Sequence, residues 1–409
     1  MFGNGNSLRH LPFFEEVATY EEHQAEWRAA TAGLVTLRLV DSWIEEGVDA
    51  VGPDSWNLRA VLKAIDAMDE GSPVPSILRS VVTSIQESPA DARAAAPRLV
   101  AYGRALELDG KWRLALDVYD SMLRHPSLVG EPDTTVLVQL QRAVSLRTLG
   151  RYDEALDAYA NAGSIAEQAG DMMGVLRAKI GDAIVAMARG NLPYADQTFE
   201  YVAEQAGRFG YSESRAMALD GRAAVAGFRG DHELAIHYAY DALQTSPSAI
   251  ERDRILHNIG TAFQLLGIRS AARDAFLVLS ATAQEQYTRW SALLTLMSIA
   301  AEDGAEPAFE QYRRSLATAT MPPDLETDYF IHLGRSYRQL GHEDMAQIAF
   351  AKAIELAEHH QLNRHLFEAE TAMRTPRPTT PAPDPGQLSA VSNVASAMRT
   401  MREQVGVPA

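Results

Sequence analysis

Seven glycines recur at near-constant spacing, and no other feature of the chain narrows its fold as far. Gly110, Gly150, Gly190 and Gly230 stand forty residues apart, and Gly267, Gly304 and Gly341 follow at steps of thirty-seven. Five residues after the glycine comes alanine in six copies: Ala115, Ala155, Ala195, Ala235, Ala272 and Ala346. Nine after it usually comes an aromatic: Tyr119, Tyr159, Phe199, Phe276 and Phe350. Seven before it stands a small side chain: Gly103, Ala143, Ala183, Ala223, Gly260 and Gly334. The Gly230 copy places Ala239 at the aromatic position, between Tyr238 and Tyr240. The Gly304 copy fits when Asp303 takes the turn position, which gives Ala308 and Tyr312. A fixed period of this length marks a repeat architecture.

The pattern describes one helix against another. Glycine takes the left-handed backbone that ends a first helix without steric cost. Ala155, Tyr159 and Ala162 then share one face of the second helix. Small residues at the closest crossing let the backbones approach, and the aromatic fills the wider space beside them. A single unit cannot bury its apolar face, so neighbours must stack into a continuous core. The expected fold is all-α: an α-solenoid superhelix of about seven to eight helix-turn-helix repeats.

These residues resemble the tetratricopeptide repeat, most closely at 257–276 and 332–356, and the resemblance extends over 97 to 358. The usual period is about 34 residues, so units of 37 and 40 imply longer helices or longer connections. Such long units are similar to those of bacterial peptide-sensing and signalling proteins. The resemblance implies that the first helices line a concave binding surface. Matched by position, that surface holds Arg104, Glu107, Arg147, Arg177, Asp220, Phe228, Arg254, His257, Thr261 and Gln264. Further along it holds Trp290, Met297, Asp328, Arg335, Arg338 and Gln339. Asn258 matches, in one unit, the asparagine with which some members clamp a terminal carboxylate. Six arginines thus face three carboxylates inside a chain of net charge −17. Arginine beside Trp290 and Phe228 is a hot-spot composition. The competing reading pairs these arginines with acids on neighbouring helices.

Around the array, residues 1–12 read as a flexible start. Residues 13–88 read as a helical cap (13–46) followed by a degenerate repeat (54–88), with Gly71 as its turn, 39 residues before Gly110. The array itself spans 89–372. A proline-rich linker, 373–387, leads to an amphipathic tail, 388–409, with Leu388, Val391, Ala395, Met398 and Met401 on one face. The tail is expected to dock on a partner or on the chain's own concave face near Arg335 and Arg338, or else to stay disordered.

Signals for chemistry are poor. There is no cysteine, and no Walker, Gly-x-Ser-x-Gly or His-Glu-x-x-His sequence occurs. His359, His360 and His365 lack a clean metal-ligand spacing and read as a polar helix end. The expectation is therefore no enzyme, no metal and no cofactor. The acidic balance opposes attraction to nucleic acid or anionic lipid. No apolar run approaches the roughly 18 residues of a membrane span, and the start does not read as a signal peptide, so a cytoplasmic location is expected. The leading expectation is a non-catalytic scaffold binding a protein or peptide segment of acidic or mixed charge. The alternative is a signalling regulator whose repeats change conformation on binding a ligand or peptide.

Overall fold

The computed structural model describes residues 9–52, 55–69, 71–245, 247–375 and 385–407, and every regular element among them is helical. The chain divides into two compact units, 1–194 and 195–409. The first holds α1 (Leu11–Thr19), α2 (Ala25–Glu46), α3 (Trp56–Asp66), α4 (Val74–Glu87) and α5 (Ala96–Leu108). It continues with α6 (Trp112–Arg124), the short α7 (Pro126–Val129), α8 (Pro132–Thr148), α9 (Tyr152–Ala169) and α10 (Met172–Ala188). The boundary falls in α11 (Leu192–Phe209). The second unit continues with α12 (Ser212–Phe228), α13 (His232–Leu243), α14 (Ala249–Leu265), α15 (Arg269–Thr282), α16 (Gln286–Glu302) and α17 (Glu306–Ala317). It ends with α18 (Pro323–Gln339), α19 (Glu343–His359), α20 (Asn363–Arg374), α21 (Pro385–Ala390) and α22 (Ser392–Val405).

All seven spaced glycines are left-handed, with φ between 68° and 85°. After each, the next amide bonds the carbonyl five residues back at 2.8 to 3.0 Å, as Lys111 does to Leu106 and His342 to Tyr337. This satisfies carbonyls that a helix end would leave open, so the glycine both stops the first helix and aims the second. Side-chain caps start some helices of both kinds: Asp171 accepts from the Gly174 amide at 3.0 Å at the start of α10, and Asp231 from Leu234 at 3.1 Å at the start of α13.

The alanines and aromatics of the pattern are buried, with Tyr119, Phe199 and Phe350 fully enclosed. The small residue seven before the turn explains itself by contact. A Cβ on Gly103 would stand 2.5 Å from the Tyr119 ring, on Gly260 2.8 Å from Phe276, and on Gly334 2.6 Å from Phe350. In two units the ring turns forward instead: Tyr159 lies over Gly181 of the next first helix, and Phe199 over Gly221.

Three expectations are corrected. In the Gly304 copy the glycine itself turns, and Asp303 keeps a right-handed helical backbone. The buried aromatic there is Phe309, edge-on to Tyr337 at 5.5 Å, while Tyr312 is half-buried. Gly71 lacks the left-handed backbone of the other turn glycines, so the α3–α4 connection is a different turn. The chain is also anchored before residue 12, because His10 is buried.

The tail does not lie on the first helices. Val391, Val394 and Met398 are buried against α13 and α15, the second helices of their pairs, and Arg402 reaches Asp274 on α15 at 3.3 Å. Most of the proline-rich linker, 376–384, lies outside the described residues.

Candidate functional site

The second unit brings several of the expected residues together. On α12, Asp220 is buried and accepts from Arg254 Nε and Asn258 Nδ2 of α14, both at 2.9 Å. Burying a carboxylate is costly unless it is paired and hydrogen-bonded, and these two donors do both. Arg254 thereby acquires a fixed position with half its side chain exposed. One turn on, His257 packs edge-on against Phe276 at 5.6 Å, and burial lowers its pKa, which keeps the imidazole neutral near pH 7.

Arg254 and His257 line a cavity of about 260 Å³ between the N-terminal halves of α14 and α16. Ile250 and Asp253 share the α14 wall; Glu285, Tyr287, Thr288 and Ser291 form the other. Asp253 is held from outside the cavity by the Gln284 amide at 3.2 Å. The Tyr287 hydroxyl donates to Asp324 at 2.9 Å, and burial together with that bond pushes the phenol up to about 12. The cavity is bounded by an exposed isoleucine, a fixed guanidinium, a neutral imidazole and two carboxylates. It therefore offers donors and acceptors of both signs beside apolar surface.

Other expected residues are placed differently. Arg338 is buried over the Phe350 ring, where it bonds Glu343 and the carbonyls of Ala372, Met373 and Thr375. It clasps the end of α20 and offers little to a partner. Arg335 pairs with Glu368 at 3.0 Å. Trp290 is half-buried against the core of its own unit, and Met297 is fully buried there. Gln264 is half-buried, and Phe228 is 70% exposed. In the first unit, Gln141 accepts from Arg104 Nε and Nη2 at 3.2 and 2.9 Å when its amide oxygen faces α5. Arg147 and Arg177 are half-buried on α8 and α10. For Arg254, Arg335 and Arg338, pairing with neighbouring elements is the better description. His365 lies 3.5 Å from Asp328, apart from the His359–His360 ring pair.

Two features escaped the sequence. One is a buried polar knot of His10, Asp41, Asp117, Ser121 and His125. The other is a concavity of about 540 Å³ between α2 and α3, flanked by Trp27 and Trp56. Neither leaves a trace in spacing: the knot joins α6 of the Gly110 unit to His10 and Asp41 from segments before the repeats and to His125 just after α6, and the concavity is built from α2 and α3. No helix among the described residues is long and apolar enough to cross a membrane.

Helix pairs closed by a left-handed glycine and packed through alanine and an aromatic ring define a class of protein. The chain is of the tetratricopeptide-repeat type, and the family model for that repeat matches residues 327–360. Among solved structures, the apo form of the quorum sensor NprR from B. thuringiensis aligns at 12% identity and TM-score 0.53. That alignment covers 90% of this chain and 98% of that one. NprR in complex with its cognate peptide NprX aligns over 78% of this chain and 98% of its own, at 12% identity and TM-score 0.46. A Rap protein complexed with competence and sporulation factor aligns over 90% and 100%, at 12% identity and TM-score 0.46. No curated protein matches the sequence. At such identities the likeness is one of fold.

Proposed function

We propose that the chain is a non-catalytic scaffold that binds a peptide or protein segment of acidic or mixed charge on its first-helix face. The observation that carries this reading is the cavity between α14 and α16, where Arg254 and His257 meet Asp253, Glu285 and the exposed Ile250. Apolar surface with a few convergent polar groups is the usual make-up of a binding site. Asp220 and Asn258 hold the arginine in place before any ligand arrives, which lowers the ordering cost of binding. A second reading, a ligand-responsive regulator, is supported by the fold shared with a quorum sensor.

Calorimetry on the full chain tests the proposal, using a library of short peptides of mixed charge and the Ser291→Trp variant. That substitution fills the cavity while leaving the Asp220–Arg254 pair intact. Binding should weaken by about thirtyfold, the loss of one hot-spot contact of about 2 kcal/mol. Unchanged binding by the variant would move the ligand elsewhere. Small-angle scattering with and without the bound peptide separates the two readings, since only a regulator changes its profile.

A further inference from the structure

We propose that the concavity between α2 and α3 is a second docking site, which takes an acidic segment of a partner protein through one inserted aromatic or aliphatic side chain. This site lies in the first unit and does not depend on the α14–α16 cavity.

The sequence of α3 divides into two faces. Leu58, Val61 and Ile65 are buried in the core, and Trp56, Arg59 and Lys63 point the other way. A solvated helix face is normally polar, yet Trp56 is 74% exposed. Trp27 on α2 stands across the concavity as its other aromatic wall. Between them Ala60, Ala64 and Ala67 keep the floor shallow in side chain, which leaves room for a large residue from outside. Tryptophan exposed beside such a depression is the residue type that dominates protein interfaces, because it buries much area with few rotors to order.

The site is also preformed. Arg28 on α2 donates to Asp69 at 3.0 Å, to the Ala67 carbonyl at 3.4 Å and to the His23 carbonyl at 2.7 Å. It therefore ties the start of α2 to the end of α3 and fixes the width of the mouth.

Charge selects the occupant. Arg59 and Lys63 are exposed and make no ion pair or hydrogen bond among the described residues, unlike Arg254, Arg335 and Arg338. They are four apart on one helix and so stand about one turn from each other. Carboxylates one turn apart on an incoming helix would match them. Glu22 is the one carboxylate of the lining, and Arg28 is paired with Asp69, so Arg59 and Lys63 leave the concavity with a small positive excess on a chain of net charge −17, which favours acidic partners over basic ones.

The test uses the full chain and a family of synthetic fifteen-residue helical peptides. One is rich in glutamate with a central phenylalanine, one replaces glutamate by lysine, and one replaces phenylalanine by alanine. Binding is read by calorimetry and by tryptophan emission. The glutamate–phenylalanine peptide should bind, shift the emission and weaken with added salt, and the other two should not bind. Trp56→Ala, and separately the double change Arg59→Glu with Lys63→Glu, should each weaken it by about thirtyfold. All three positions are exposed, and circular dichroism should show an unchanged helical fold.

Several results would overturn the site: no binding by the acidic peptide, equal binding by the lysine peptide, or unaltered binding by both variants. Equal affinity for free phenylacetate would also overturn it, since the cavity would then be a small-molecule pocket. The Ser291→Trp variant must bind the acidic peptide normally; loss of binding there would place the peptide in the other cavity.

Discussion

His10 Nδ1 lies 2.6 Å from the Asp117 carboxylate, joining residues 107 positions apart at the start of α1 and in the middle of α6. Its other nitrogen is 3.2 Å from Asp41 on α2, which also accepts from His125 at 2.9 Å and Ser121 at 3.3 Å and faces Arg9 at 3.4 Å. Burial alone would strip the proton from His10, but carboxylates on both ring nitrogens outweigh it and raise its pKa. Burial would likewise push Asp41 up, yet its bonds from His10 and His125 hold it far below the usual carboxylate range.

A pH dependence follows from these directions. The His10 contribution is fully present below about pH 6.5, the ordinary histidine value, and is lost as pH rises through its raised pKa. The Asp41 contribution is present above the ordinary aspartate value and is lost only as pH falls through its lowered one. Thermal melts between pH 6 and 9 should therefore show the first unit losing stability toward the alkaline end. His10→Gln should lower the melting temperature at pH 6 and flatten that decline. Parallel slopes for the two proteins would mean that His10 is not charged in the fold.

Gly334 and Gly227 make a paired test of the packing. Adding a methyl at Gly334 drives it into the enclosed Phe350 ring, whereas Gly227 in α12 has nothing within 4 Å of the added carbon. Gly334→Ala should destabilise by about 1–3 kcal/mol through overpacking. Gly227→Ala should be neutral or stabilise by up to about 1 kcal/mol, since glycine is the poorer helix former. Urea unfolding of the two variants, compared at equal slope, should give opposite signs. Matching losses would mean that the ring does not rest on Gly334.

How much the sequence disclosed depends on how local the cause is. The seven turns were legible because a left-handed backbone selects glycine at one position whatever surrounds it. The alanine and aromatic positions were legible because helix–helix contact repeats with the period. The Gly304 register was misread because Phe309 takes the ring's place five residues after the turn, so the expected alanine is absent. Groove residues were harder. Arg254 and Arg338 hold equivalent chemistry in the sequence, but Arg338 meets the end of α20 and Arg254 does not. The knot around His10 depends wholly on tertiary approach and had no signal to offer.

The tail offers a third test. Met398 and Val394 are fully buried against α13 and α15, and Arg402 meets Asp274 where both are largely enclosed. Met398→Ala should cost about 2–5 kcal/mol of local stability, as for a buried methionine elsewhere. Amide exchange across 392–405 should be slow in the native chain and fast in the variant, while α18 and α19 stay protected. Rapid exchange of 392–405 in the native chain would show that the helix is not docked in solution.

Gln361 stands where other units place a glycine, and this sets the last prediction. Twenty residues after Gly150 and Gly190 come Gly170 and Gly210, left-handed at φ 73° and 75°, ending their second helices. Twenty after Gly341 comes Gln361, at φ 56°. The hydrogen bonding is the same: Leu362 N reaches the Ala357 carbonyl at 2.8 Å, as Asp171 N reaches Ala166 at 2.8 Å. The fold thus imposes the glycine conformation on a residue with a Cβ, at a cost of about 1–2 kcal/mol. Gln361 is exposed, so removing its side chain forfeits little packing. Glycine also gains freedom in the unfolded chain, which takes back part of the relief. Gln361→Gly should therefore stabilise the second unit by about 0.5–1 kcal/mol. Amide exchange at the ends of α19 and α20 should slow correspondingly, whereas Gly210→Gln should accelerate exchange at the end of α11. A Gln361→Gly variant no more stable than the parent would mean that the left-handed turn at 361 carries no strain to relieve.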